Sequence, residues 1–242
     1  MINGNEFSTS LTSSPTTRDI SPREHLSRAE PSRRYLSLLE EYKAMHNISD
    51  RMFNGRSLLK FVDILSSYLK KNKCTSILDY GSGKGMLYTK DFSTITDEIT
   101  EPLPEYWELD SYYLYDPAYE QHSNLPDDKV DAVICTDVLE HIPEDDLGWV
   151  LEEIFSRAKK MVFLNVACFP ALKKLKDGSN AHVSIFSTEN WIQFVAMKSV
   201  AYKDLNIYLF TDNVDSDDGE FTVRGFKIES KPHVTELQGE PK

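Results

Sequence analysis

The order of apolar segments predicts an α/β fold, a mostly parallel sheet with helices packed on both faces. Short apolar runs of strand type (75–80, 112–115, 130–135 and 161–167) alternate with segments of helical spacing. Parallel strands need crossovers, and those crossovers are right-handed. The run 161–167 is almost continuously apolar, the mark of a strand covered on both faces. A glycine-rich turn, Gly81-Ser82-Gly83-Lys84-Gly85, follows the first run directly. Open α/β sheets bind ligands at that end of their strands.

Composition sets outer bounds. The chain has 242 residues, 27 Lys+Arg against 39 Asp+Glu, and a net charge of −12. That length suits one domain with a short appendage. Hydrophobic residues make up 40% and aromatics 11%, enough for a sizeable core and too many for wholesale disorder. The acid excess argues against a protein that grips a phosphate backbone. Cys74, Cys135 and Cys168 are odd in number and form no Cys-x-x-Cys pair, which argues against a disulfide framework and structural zinc. The polar, Ser/Thr-rich start has no apolar segment of secretory type. The longest apolar run, 161–169, is broken by Asn165 and falls far short of the roughly 20 residues that span a bilayer. These features lead us to expect a soluble, cytoplasmic protein.

Residues 1–30 are expected to form a flexible arm. A helical cap is expected over 31–72. Its first helix carries Tyr35, Leu38, Leu39, Tyr42 and Met45 on one face; its second carries Leu58, Phe61, Val62, Leu65 and Leu69, with Ser57 as cap. Between them, 47–56 is turn-like. After the glycines a helical stretch is expected, and then an acidic, irregular insertion over 91–110. The segment 117–129 is too short for a full helix and strand. Pro143 opens a helix whose first turn holds Glu144, Asp145 and Asp146, where acids suit the macrodipole. Ser187 caps a later helix through Trp191, Phe194 and Val195. Two late strands, 205–210 and 221–228, read as an antiparallel pair. The main domain is expected over 73–230, and a loose tail over 231–242.

The glycine turn separates three cofactor classes. No Ser or Thr follows a Gly-Lys at the spacing of a phosphate-binding loop. The third glycine comes one residue early for a nicotinamide fingerprint. An acid, Asp79, stands two residues before the first glycine. The resulting Asp-x-Gly-x-Gly-x-Gly pattern resembles motif I of the class I S-adenosylmethionine-dependent methyltransferases. The run Val133-Ile134-Cys135-Thr136-Asp137-Val138-Leu139-Glu140-His141-Ile142 resembles the segment after that family's fourth strand. The resemblance covers roughly 57–228. It implies a Rossmann-like three-layer α/β/α sandwich with an N-terminal helical cap. Its sheet would have seven mostly parallel strands, the last antiparallel. It also implies S-adenosylmethionine as cofactor and S-adenosylhomocysteine as product. Asp79 would lie near the cofactor's methionine end, with Gly81, Ser82, Gly83 and Gly85 packed against it. Thr136 and Asp137 would line the methyl-donor pocket. Asp116 ends the second strand, where a carboxylate can accept two hydrogen bonds from a ribose diol. Glu108 and Asp110 are rivals for that role. Adenine contacts are not assigned; Asn124 and Leu125 are the nearest guesses.

Asp137, Glu140 and His141 fall within one turn, and His182 is expected to return to the same rim of the sheet. His141 or His182 is a candidate general base, and a structural role for His141 stands beside it. Asp137, Glu140, His141 and His182 are also a candidate divalent-metal set. They resemble the Glu-x-x-Glu-His plus distal His sites of metal-dependent O-methyltransferases that modify the 3′-terminal 2′-hydroxyl of small RNAs, with Asp137 one carbon shorter. The stretch 52–58 with Arg56 is a candidate lid, and Lys173, Lys174 and Lys176 are a basic cluster suited to an anionic acceptor. The Pro-Pro-aromatic motif of base-amino DNA methyltransferases is missing after the third strand.

The expected function is transfer of a methyl group to oxygen or nitrogen of a small-molecule acceptor by in-line displacement, with neither nucleic acid nor membrane as partner. Three alternatives remain. One is a metal-dependent RNA 2′-O-methyltransferase, the second a non-catalytic binding subunit of the same fold, and the third a different transfer from a related sulfonium.

Overall fold

A computed structural model describes residues 26–49, 51–215, 219–229 and 233–237. Most of the expected arm, 1–25, lies outside the described residues. The strands are β1 (Ser76–Tyr80), β2 (Ser111–Tyr115), β3 (Val130–Thr136), β4 (Ala158–Ala167), β5 (Asn206–Val214), β6 (Phe221–Glu229) and β7 (His233–Glu236). They form one sheet of order β2-β1-β3-β4-β5-β6-β7. Strands β1 to β5 pair in parallel, and β6 runs antiparallel to both of its neighbours. The reversal needs no helix because β5 and β6 are joined as a hairpin, whereas every parallel step requires a crossover.

Side-chain alternation along the strands builds two cores. On one face Ala132, Ile134, Met161 and Phe163 pack against Phe61, Leu65 and Leu69 of the cap. Leu65 and Leu69 lie on α2 (Val62–Lys71). On the other face Val133, Cys135, Val162 and Leu164 pack against Leu147, Leu151, Ile154 and Trp191. The first three of those partners lie on α4 (Glu144–Arg157), and Trp191 lies on α5 (Thr188–Ser199). Helices on both faces give the three layers expected. A further helix, α1 (Arg33–His46), is capped by Ser32, whose side chain accepts from Tyr35 N. It belongs to a smaller cluster of Leu38, Met45, Leu175 and Ala181.

Several local expectations are corrected. A 3-10 turn (Arg56–Phe61) precedes α2, so Ser57 is no cap; Gly55, at φ +91°, starts that turn. The glycine loop is followed by 3-10 turns at Met86–Tyr88 and Lys90–Thr94 instead of a long helix, because Thr89 between them is extended. The expected insertion is not merely irregular. It contains α3 (Leu103–Tyr106) and buries Ile99, Leu103 and Trp107 in the core, with Trp107 Nε1 donating to Val62 O. The tail contributes β7, which pairs with β6 and is braced by Arg224 on Glu236. Residues 26–30 of the arm are docked: the Arg28 guanidinium binds Glu153 and lies 5.1 Å from the centre of the Tyr115 ring.

Candidate functional site

The parallel pairing of β1, β2 and β3 brings their carboxyl ends, Tyr80, Tyr115 and Thr136, to the same edge of the sheet. The glycine loop leaves β1 there and is fastened to β2 at once. Gly81 N and Ser82 N both donate to Tyr115 O, at 2.7 and 3.0 Å. Gly81 has φ +86° and Gly83 +57°, backbone that disfavours any side chain. Their surroundings forbid one as well. A Cβ on Gly81 would fall 2.2 Å from Val138 Cγ2, and one on Gly83 would fall 2.2 Å from Phe53 O. The loop is thus wedged between the segment after β3 and the lid, and Lys84 N donates to Phe53 O at 2.7 Å.

Asp116 closes β2 and turns toward this loop. Its Oδ2 accepts from Gly83 N at 3.0 Å, and its Oδ1 accepts from Ala118 N at 2.8 Å. Burial raises its pKa, and those two hydrogen bonds oppose the rise. The rivals stand elsewhere: Glu108 pairs with Lys70, and Asp110 precedes β2 at the far end of the sheet. Asp79 is fully desolvated behind the loop, and its pKa is pushed up to about 7 by burial. The nearby Tyr88 hydroxyl pulls it down and the Asp116 charge adds to the rise.

A cavity of about 300 Å³ lies over these strand ends. Its floor includes Gly81, Ser82, Gly83, Asp116, Thr136 and Asp137; Asp79 and Gly85 are not among its walls. Its roof is the cap, with Tyr35, Leu38, Tyr42 and His46 from α1 and Phe53 to Ser57 from the lid. The Arg56 guanidinium reaches Ile95 O of the insertion.

Beyond β3, Asp137 sits at φ +59°, an uncommon conformation for a non-glycine residue and one that clusters at functional sites. Asp137, His141 and His182 bring one ligand atom each within 4.8 Å of one another. Both imidazoles are oriented from behind. His141 Nδ1 donates to Ala181 O at 2.9 Å and lies 2.8 Å from the Tyr42 hydroxyl. His182 Nδ1 donates to Phe169 O at 2.6 Å. A carbonyl only accepts, so in the neutral rings Nε2 is the basic atom.

Glu140 does not join them, which corrects the four-residue metal set. Its side chain is fully buried, and Oε1 accepts from Ala167 N at 2.6 Å at the end of β4. Its backbone carbonyl accepts from Ser184 N at 3.0 Å. Glu140 therefore ties the His141 turn to β4 and to the His182 loop. Burial and the charges of Asp137 and Asp212 raise its pKa.

Lys173 lies 5.1 Å from the centre of the Phe53 ring, which puts it at the rim. The Lys176 backbone N donates to Glu41 Oε1, and the Lys174 backbone pairs with that of Asn180 in an isolated β-bridge. Asn124 and Leu125 are not among the walls of the cavity.

Two wall residues that the sequence did not offer as site residues, Tyr42 and His46, come from the cap. Tyr42 and His46 are one turn apart on α1, so they share a face, and both enter the cavity wall. Tyr42 counted only as part of an apolar stripe. A histidine four residues after it was the one available signal for His46.

Comparison with known proteins gives a family. The methyltransferase-domain family matches residues 47–195. No curated protein sequence matches the chain. A proposed class I S-adenosylmethionine-dependent methyltransferase from Listeria monocytogenes is 18% identical, over 76% of this chain and 53% of that one, with a TM-score of 0.25. The chain thus spans about half the length of that protein. The family match takes in the lid, the glycine loop, Asp116 and the Asp137–His141 turn, more than half of the sequence; this chain belongs to the methyltransferase-domain family.

Proposed function

We propose that the protein transfers a methyl group from S-adenosylmethionine to oxygen or nitrogen of a small-molecule acceptor. One observation carries the reading. A single roofed cavity joins the glycine loop and Asp116 to Asp137 and His141. The walls suit the cofactor. Asp116 keeps free lone pairs beside its two backbone hydrogen bonds, as a ribose diol requires. Behind those walls, Asp79 is a buried carboxylate whose raised pKa a cationic group across the glycine loop would oppose. The cofactor would supply an activated sulfonium methyl.

The chain's own residues supply position, cover and a base. The cap covers the cavity from above, and the glycine loop and Asp116 would fix its cofactor end. His141 Nε2 is free to take a proton from an acceptor hydroxyl or amine, because Nδ1 is tied to Ala181 O. His182 is oriented in the same way, and its ring centre is 4.8 Å from that of His141. Lys173 at the rim favours an anionic group on the acceptor. The net charge of −12 disfavours nucleic acid as that acceptor. No helix among the described residues is long and apolar enough to cross a membrane.

The three-ligand cluster favours a second reading, in which Asp137, His141 and His182 hold a divalent ion. Three protein ligands leave a position for an acceptor oxygen, on which the ion would act as a Lewis acid.

Calorimetric titration with S-adenosylmethionine and S-adenosylhomocysteine tests the main reading. Both should bind, and Asp116→Ala should weaken each at least about tenfold, roughly 1.4 kcal/mol. Absence of binding would sink the proposal. Titration of the full chain with zinc or manganese, alone and after Asp137→Ala, decides the second reading.

A further inference from the structure

We propose that the cap supplies a cofactor-binding residue, His46, which shares one ribose hydroxyl with Asp116. The proposal rests on the cofactor assignment above and deepens it.

His46 is the last residue of α1 and is nearly buried, at 6% exposure, yet it stands in the cavity wall beside Asp116. Its ring is clamped. It stacks on Tyr119, with centres 5.0 Å apart and planes 23° apart, and lies 4.7 Å from the Phe53 ring. Tyr119 belongs to the turn after β2, and Phe53 belongs to the lid. One imidazole therefore joins three segments around the carboxylate.

The position of Nε2 is the decisive observation. It lies 3.8 Å from Asp116 Oδ2. That is too long for a hydrogen bond, but one hydroxyl oxygen can reach both atoms at about 2.8 Å. The ring is neutral in the physiological range, because burial, helped by the neighbouring Lys84 charge, holds its pKa down at about 4. A neutral ring carries one N–H. Nδ1 is buried with no partner among the described residues, so the proton is assigned to Nε2, which faces the carboxylate. Asp116 accepts and His46 donates. A hydroxyl does both, whereas a protonated amine cannot accept and an ether cannot donate. The pair thus suits a hydroxyl, as a ribose offers, and its binding would tie α1 to the floor.

The test is calorimetric titration of the full chain with S-adenosylhomocysteine and with its 2′-deoxy and 3′-deoxy analogues. His46→Phe keeps a ring against Tyr119 and removes the N–H. It should weaken S-adenosylhomocysteine about fivefold or more, and His46→Gln, which restores a donor, should recover part of that loss. The analogue that lacks the shared hydroxyl should bind wild type and His46→Phe alike. Equal loss for all three ligands would make His46 a packing residue and overturn the proposal, as would no loss at all. Failure of wild type to bind S-adenosylhomocysteine is a separate outcome, and it overturns the cofactor assignment as well.

Discussion

Beneath the cavity, β3 and β4 are buried almost end to end, with Val133, Ile134, Phe163 and Leu164 all at 0% exposure. Above it, α1 has 14 residues, of which only Leu38, Met45 and His46 are buried. The floor is a hydrogen-bonded sheet between two apolar layers. The roof is held by a small apolar cluster and by polar ties: Ser32 to Asp146, Arg28 to Glu153, and Lys84 N to Phe53 O. A ligand must pass between them. The part that can yield is the one with few buried apolar contacts and ties that water can replace.

Substitutions can break or sharpen this contrast. The largest effect belongs to the floor. Phe163 packs against Phe61 and Phe210, with ring centres 5.2 and 5.0 Å away. Phe163→Ala should cost about 3–5 kcal/mol, measured by urea unfolding. A cost below about 1 kcal/mol would mean that the sheet does not hold the molecule together.

Asp79 comes next, because its carboxyl is buried beneath the glycine loop with no cation to offset desolvation among the causes that set its pKa. Its pKa is raised from 3.8 to about 7 in the folded chain. Between those values the folded state holds a proton that the unfolded chain has lost. Its contribution to stability is therefore greatest below about pH 4, falls as pH rises toward about 7, and is level above. The span is on the order of a few kcal/mol. Asp79→Asn should flatten that fall in unfolding curves taken from pH 4 to 8. An unchanged slope would show that Asp79 is not the group responsible.

The roof gives the third comparison. Asp146 is fully buried and accepts from Ser32 N, the Ser32 hydroxyl and Trp149 Nε1. Asp146→Ala strands those donors and should cost about 1–3 kcal/mol. Hydrogen exchange should speed up in α1 while β4 stays protected. Equal acceleration in both would show that roof and floor open as one unit.

Arg28 should matter least. Its side chain is 44% exposed, and Glu153 keeps the Tyr80 hydroxyl at 2.7 Å after the arginine is gone. Arg28→Ala should cost about 1 kcal/mol or less, less still in high salt. A larger loss would make residues 26–30 part of the core.

Much of this molecule was legible without coordinates. The strand runs, the stripe Leu58, Phe61, Val62, Leu65, Leu69 and the Asp79-to-Gly85 pattern are local, and their spacing carries the signal. The continuously apolar run around Phe163 announced a strand covered on both faces for the same reason. What escaped was non-local. The helix expected after the glycines gave way to 3-10 turns, because tertiary packing of Leu87, Tyr88 and Trp107 overrode local propensity. Strand β7 escaped because its residues gain partners only when β6 is already in place.

The site divides along the same line. The candidates Asp116 and Asp137, directly after strands, and His141 and His182, in the loops beyond β3 and β4, were read from the sequence alone. Which acids face which way does not. Asp137 joins the histidines while Glu140, three residues on, turns into the core to bind Ala167 N. A 3-10 turn at Leu139–His141 sets that divergence, and no residue type encodes it. The cap is the clearest case. The sequence by itself determined that α1 is a helix with an apolar face. Only the tertiary structure decided that this face roofs the cavity and brings His46 to Asp116, seventy residues away. Chain separation carries no record of a contact that exists only once the sheet has formed.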